Sequence, residues 1–451
     1  MQKVNVKQLI FIIIPIFFEL LLQILAGNVD KVMVQNDNLA TSINQANSIL
    51  DLIVVSISVL SAASLILINQ YKGANNKEKE RGIYKLSFYF NLFVGIILSF
   101  LLMLLAKPSL MALQVQDDLM ANAVKYLMIN GGTLFLQTMM MSLQSYLRSN
   151  EYMKTSLCIS IGFNVINVVL NALFLYALKM DPILSVALGS VISRFLGVVA
   201  LILTVTIKLK INISPKGLFP LQFKELKKII ALGLPSAGES FSYSLSQIVI
   251  MAFINTIGRM GEATGNLQFI AAPTAKTYAS MVVLISYLFV NASSQGMQII
   301  LGRYVGAGEN DLANKLVWKT LIVSLGISFV TSIIFALSSG LIYSLFSNDK
   351  EVILLCQRIQ YIEIALEIGR CINIVLVRAL QTTGDVMFPT ILAIVFCWVV
   401  ATLGSYILGI VCNLGLIGVW IAMTADELMR AVIFIFRWRS GKWKAKNLVN
   451  A

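Results

Sequence analysis

Residues 9–34 read LIFIIIPIFFELLLQILAGNVDKVMV. A helix that crosses a bilayer needs about 20 mostly apolar residues, and this stretch supplies them with two carboxylates inside, Glu19 and Asp30. The run is longer than the apolar core of a signal peptide and has no clear cleavage site after it, so it reads as a retained first helix. The chain around it is of the same kind. Of its 451 residues 58% are hydrophobic and 13% are Asp, Glu, Lys or Arg, where a soluble domain carries about 25%. That balance excludes a soluble globular enzyme and a disordered chain and predicts an all-α integral membrane protein.

There is no histidine, which removes His-ligated haem, HExxH metalloproteases and Ser-His hydrolases. No phosphate-binding G-x-x-x-x-G-K-[S/T] loop is present, which argues against an ATP-driven pump in one chain. Cys158, Cys356, Cys371, Cys397 and Cys412 show no C-x-x-C spacing and read as packing residues. A channel, a secondary transporter, a flippase or a His-free lipid enzyme remain.

Twelve apolar runs follow one another along the chain, the last ending near Phe436. The net charge of +13 is concentrated in short loops on one side, with Lys72, Lys77, Lys79, Arg81, Lys208, Lys210, Lys216, Lys315, Arg437 and Arg439 among them. This is the positive-inside pattern, which places both termini in the cytoplasm and gives the basic excess to membrane orientation rather than to nucleic acid. The basic stretch 208–227 reads as a cytoplasmic linker between an N-lobe, 1–220, and a C-lobe, 221–451, of six helices each.

The two halves look like copies. Pro15-x-x-x-Glu19 in the first helix is matched by Pro235-x-x-x-Glu239 in the seventh, and Gly73-Ala74 by Gly306-Ala307. Leu147-Arg148-Ser149 ends the fourth helix and Leu380-Gln381-Thr382 the tenth; the interval from Gly73 to Leu147 equals that from Gly306 to Leu380, 74 residues each. The second half carries an insertion near 258–268. Six helices per half give a parallel repeat, with a pseudo-two-fold axis along the membrane normal.

These landmarks, with Gly27-Asn28-Val29-Asp30, Arg378-Ala379-Leu380, Gly384-Asp385 and the tail Arg437-Trp438-Arg439-Ser440-Gly441-Lys442-Trp443-Lys444, resemble the multidrug and toxic compound extrusion (MATE) family of the MOP flippase superfamily over the whole chain. The resemblance implies two six-helix lobes around a V-shaped cavity in a bacterial inner membrane. It further implies a functional monomer that exports amphipathic, often cationic, small molecules by alternating access, coupled to protons or sodium, without an organic cofactor or an enzymatic step.

Charged side chains inside spans are costly and are functional candidates by default. Glu19 and Asp30 are 11 residues apart, which returns them to one face about 16 Å apart along the helix. The resemblance aligns Asp30 with the first-helix Asp used for coupling, where protonation removes a costly charge. On the fifth helix Asn167 and Asn171 share a face; related sequences often carry an Asp at the second position, so one titratable group is absent here. Cation coupling is therefore assigned to Asp30, Glu19, Asn167 and Asn171. The second half offers Glu239, Tyr243 and Ser246, read as a cavity wall, and Glu363, Glu367 and Arg370, whose spacing also allows an ion pair. Sodium-coupled relatives carry their seventh-helix Glu one turn further on, where this chain has Ser242 or Tyr243, and their tenth-helix Asp falls near Arg370. No sodium site is assigned and no other metal is expected. The alternative, a lipid-linked oligosaccharide flippase, would line its cavity with Arg and Lys to meet phosphate; the mid-span glutamates favour cationic cargo.

Overall fold

The computed structural model describes residues 6–113, 115–214, 222–446 and 448–449, so residues 215–221 of the expected linker lie outside the described residues. Among the described residues the protein is helical throughout. The first half contains α1 (Val6–Met33), α2 (Asp37–Gly73), α3 (Lys77–Ala112), α4 (Asp117–Gly132), α5 (Leu134–Ser149), α6 (Met153–Ala172) and α7 (Pro182–Lys208). The second contains α8 (Phe223–Thr264), α9 (Leu267–Ile270), α10 (Ala272–Gly306), α11 (Asn310–Leu337), α12 (Ser339–Ser344), α13 (Lys350–Thr383), α14 (Met387–Phe396), α15 (Leu403–Tyr406) and α16 (Gly415–Arg439).

The helix starts follow local chemistry. Asn36, Asn76, Asp181 and Asp349 each accept a backbone N–H of the first turn of α2, α3, α7 and α13, satisfying a donor that the helix itself cannot pair. Pro182 follows its capping Asp at the first helical position, where its missing N–H costs nothing. Gly384 ends α13 at φ 98°, a left-handed backbone that glycine adopts without penalty.

Nine segments among the described residues are long and apolar enough to cross a membrane: α1, α2, α3, α6 with the turn after it, α7, α8, α10, α11, and the stretch Met387–Val411. Three further helical stretches are less apolar for identifiable reasons. The stretch α4–α5 is interrupted at Thr133, α13 carries Glu363, Glu367 and Arg370, and α16 carries Asp426, Glu427 and Arg430. Large apolar side chains are exposed along α3, including Phe93, Ile96, Phe100 and Leu104, as expected of a helix that faces lipid rather than water.

The helices form two compact units, Ile10–Ala237 and one built on Gly238–Ala451. The division falls inside α8, just after Pro235. In the first unit α2, α3, α4 and α7 share an apolar core around Ile43, Leu50, Leu102, Leu127 and Val186. In the second, α8, α10, α13 and α16 share another around Ile250, Ile254, Ala275, Ile359 and Val419. One irregularity occurs in both halves: a π-helical turn follows α6 at Leu173–Ala177, and another follows α15 at Ile407–Val411. A further π-helical turn, Cys397–Thr402, interrupts the second half alone among the described residues. Turns of this kind recur at functional positions in helices. The extra residues of the second half form the long end of α8 and the short α9.

Candidate functional site

The first unit holds Asp30 4% exposed and Glu19 5% exposed. Both are reached from α6, and their surroundings differ. Asp30 accepts three hydrogen bonds, from Asn171 Nδ2 at 2.8 Å, Tyr126 OH at 2.8 Å and Ser190 Oγ at 2.9 Å. These donors come from α6, α4 and α7, and all are neutral. Asn167 belongs to the same cluster at one remove, donating to Ser190 Oγ at 3.1 Å. Among the described residues no Lys or Arg lies within ion-pair distance of Asp30; Arg194 is near enough to attract it but donates to Asn130 of α4 at 3.2 Å. A side chain at Gly189 would place its Cβ on Asn171 Oδ1, so the glycine leaves the amide the room it needs to reach Asp30.

Glu19 has a charged partner instead. Arg148, at the end of α5, sits 3.0 Å from its Oε2, while Ser156 and Ser160 of α6 donate to Oε1 at 2.9 and 3.4 Å. Gln144 donates to Ser160 at 3.2 Å, and Asn164 to the Ser160 carbonyl at 2.8 Å. Ser156, Ser160, Asn164, Asn167 and Asn171 therefore form one polar stripe along α6, running from Glu19 to Asp30. All four expected coupling residues lie on this α1–α6 seam. Tyr126, Ser190, Arg148, Ser156 and Ser160 are not among the residues that the sequence singles out. The α6 stripe is legible there, because its members recur at helical spacing.

The second unit has two arrangements in the expected cavity set. On α8 the polar side chains are engaged with the helix that begins at Met387 and the π-helical turn after it. Thr390 donates to Glu239 at 3.2 Å, Trp398 Nε1 to Ser242 at 2.9 Å, and Ser246 pairs with Thr402 at 2.7 Å. Ser246 is fully buried, whereas Tyr243 is 44% exposed. Ser246 thus lies in an interhelical seam, where two hydroxyls satisfy each other; Tyr243, on the next face of the helix, lies near Arg370 and Arg430.

On α13, Glu363, Glu367 and Arg370 are brought together. Arg370 bridges both glutamates, at 3.1 Å to Glu363 and in closer contact with Glu367. Trp420 Nε1 donates to Glu363 at 2.6 Å and Ser328 to Glu367 at 3.2 Å. Lys276 lies 4.7 Å from the centre of the Trp420 ring, a cation–π contact. A second ion-pair group occupies α16, where Arg430 holds Asp426 at 2.5 Å and Glu427 at 3.1 Å, with Asn373 donating to Glu427. Buried ion pairs of this kind balance a desolvation cost against their attraction.

The comparisons with known proteins agree with this architecture. The MatE family model matches the chain twice, over residues 15–173 and 235–407. Its two matches begin at Pro15 and Pro235, and they end at the first residues of the two corresponding π-helical turns. The uncharacterized transporter YisQ of Bacillus subtilis (strain 168) is 31% identical over 439 residues, covering 96% of this chain and 94% of its own length. A probable multidrug resistance protein NorM of Thermotoga maritima is 23% identical, covering 98% of this chain and 93% of its own. A crystal structure of a mutant of the Vibrio cholerae MATE transporter VcmN shares the fold, with a TM-score of 0.85 at 16% identity over 99% of this chain and 98% of that one. With the family model matching well over half the chain in two successive copies, the protein belongs to the MatE family of membrane transporters.

Proposed function

We infer that this protein exports amphipathic, cationic small molecules across a bacterial inner membrane by alternating access, in exchange for protons taken up at Asp30. The twelve helical stretches are read as twelve crossings with both termini in the cytoplasm and the two halves related about the membrane normal. The observation that carries the coupling assignment is Asp30 itself. It is a buried carboxylate held by an amide and two hydroxyls, with no cation in ion-pair contact among the described residues. Such a group exchanges a full charge for a neutral acid when it binds a proton. Both hydroxyls can turn to accept the proton that the acid then carries. The two forms make different demands on the surrounding helices, which is what coupling needs: a ligand shifts an equilibrium only by its differential affinity for the two states.

The cationic cargo is supported by the pairing of three of the buried arginines, although Arg194, Arg378 and Lys276 have no carboxylate at ion-pair distance among the described residues. Arg148, Arg370 and Arg430 are each engaged by carboxylates, so these guanidinium groups do not offer a free phosphate-binding surface. A lipid-linked oligosaccharide substrate would call for one. The relatives point the same way, since several are probable multidrug resistance proteins. The test is efflux of a fluorescent amphipathic cation from proteoliposomes with a proton or a sodium gradient imposed separately. Export driven by the pH gradient and lost in Asp30→Asn is expected; export driven by sodium alone would reassign the ion, and unaltered export by Asp30→Asn would remove Asp30 from coupling.

A further inference from the structure

The two acidic residues of α1 lie at opposite ends of one polar seam with α6, and among the described residues only Glu19 has an arginine at ion-pair distance. Ser156 and Ser160 touch Glu19, Asn171 touches Asp30, and Asn164 and Asn167 occupy the stretch of α6 between. Serine hydroxyls donate and accept at once and can pass a proton on; the amides cannot do so readily but can fix the water or hydroxyl that does. Arg148 gives Glu19 something Asp30 lacks, a fixed positive partner that is satisfied only while Glu19 is ionised. The groups facing Glu19 from the packed helices are Arg148 from α5 and Ser156 and Ser160 from α6, with Gln144 of α5 behind Ser160.

Resting on the proton-antiport reading above, we propose that Glu19 is a second, inner proton site, which receives the proton released by Asp30 along the α1–α6 seam and delivers it to the cytoplasmic side. In that step the Asp30 carboxyl loses its proton and becomes an anion held by its three neutral donors. The Glu19 carboxylate gains one and lets go of Arg148. Release of the proton to inner water restores the Glu19–Arg148 pair, which resets the seam and opposes return of the proton from the cytoplasm. The pair thus returns Glu19 to its ionised state after each transfer, while the imposed gradient sets the direction of net flow.

The second half supplies an internal contrast. Counting back from the two matching π-helical turns, Ser156 falls opposite Thr390, and Thr390 donates to Glu239 as Ser156 donates to Glu19. Counting on from the two glycine–alanine loops the residue opposite Arg148 is Gln381, and counting on from the two prolines the residue opposite Asp30 is Ile250. The outer acid is therefore particular to the first half, and so, among the described residues, is an arginine at ion-pair distance from the inner glutamate; Arg378 and Arg430 act on Glu239 only from farther off.

The experiment uses the full chain in proteoliposomes, with ethidium as the probe cation and a trapped pH-sensitive dye. Wild-type protein must first move ethidium and protons in opposite directions; if it does not, the antiport reading fails whatever Glu19 does. Given that, Glu19→Gln/Arg148→Gln removes both charges and leaves no buried charge unpaired. Ethidium binding and ethidium–ethidium exchange should stay within about twofold of wild type, while uphill, pH-driven accumulation falls by about tenfold or more. Ser156→Ala/Ser160→Ala, which leaves both charges in place, should slow coupled proton uptake without changing ethidium binding. Wild-type coupling in the first variant overturns the proposal, as does loss of binding and exchange together with coupling, which would mark a structural pair. If the charge-free variant does not elute as a folded monodisperse protein, the serine variant decides, and wild-type proton uptake by it overturns the proposal.

Discussion

The same place in the two repeats has been built in opposite ways. In the first unit it holds Asp30, with Tyr126, Asn167 and Asn171 around it. In the second, the corresponding positions are Ile250, Ile359, Ala401 and Ser405. All four are buried, and the first three belong to the apolar core of that unit. A unit of this family can therefore close over apolar side chains at this point. The polar cluster in the first unit is not needed to build the fold, and the coupling role proposed for Asp30 would account for its cost in the bilayer. The inner ends of the same seams teach a complementary lesson. Glu19 and Glu239 both stand one turn after a proline and both accept a hydroxyl from the partner helix, yet among the described residues only Glu19 has an arginine at ion-pair distance.

The sharpest way to break this comparison is to write the second repeat into the first. Arg148→Gln installs the residue found at Gln381 and leaves the buried Glu19 carboxylate without its cation. Removing one partner of a buried pair typically costs about 3–5 kcal/mol, so this variant should show the largest loss of thermal stability in detergent. Adding Glu19→Gln to it should recover most of that loss. No recovery would mean that Arg148 holds the unit through contacts other than Glu19. Next in size is Asp30→Asn. It preserves the volume and most hydrogen bonding of the cluster, so folding should persist, while gradient-driven export falls by about tenfold or more, equivalent to at least about 1.4 kcal/mol of lost coupling. Its effect should be confined to the driven rate, read as the ratio of uphill export to passive exchange.

Much of this comparison is legible in the order of amino acids alone. The proline–glutamate pairs and the matched glycine–alanine loops locate the repeats, because covalent spacing survives duplication. The apolar runs locate the helices, because the bilayer imposes their length. Glu19, Asp30 and the asparagines of α6 stand out because a polar group in such a run is expensive. What the order of residues does not carry is the partner of each group. Tyr126 and Ser190 come to Asp30 from α4 and α7, and Arg148 comes to Glu19 from α5; helical periodicity relates residues within one helix and is silent between helices. Ser246 shows the same limit from the other side. Its spacing from Glu239 suggests an open polar face, but Thr402, on a π-helical turn that periodicity does not foresee, closes that face.

A smaller effect is expected from Gly189→Ala. The added methyl group occupies the position of Asn171 Oδ1, so Asn171 must turn away and Asp30 loses one of its three donors. Driven export should fall severalfold, in line with the about 0.5–1.5 kcal/mol net value of one hydrogen bond. Wild-type transport by this variant would show that Asn171 is dispensable to the carboxylate and that Tyr126 and Ser190 suffice.

The mildest test asks whether the second seam is structural. Thr390→Val removes the hydroxyl that reaches Glu239 and keeps the side chain's shape. Interhelical hydrogen bonds in membranes average about 0.6 kcal/mol, so stability should fall by no more than this, and the ratio of driven export to passive exchange should not move. Ser156→Ala, the nearest change in the first seam, should cost as little in stability but lower that ratio, because Ser156 touches a carboxylate with a charge partner to reset. If both variants behave alike, with equal small losses of stability and unchanged coupling, the asymmetry between Glu19 and Glu239 has no functional meaning and the first seam is, like the second, a means of packing two helices.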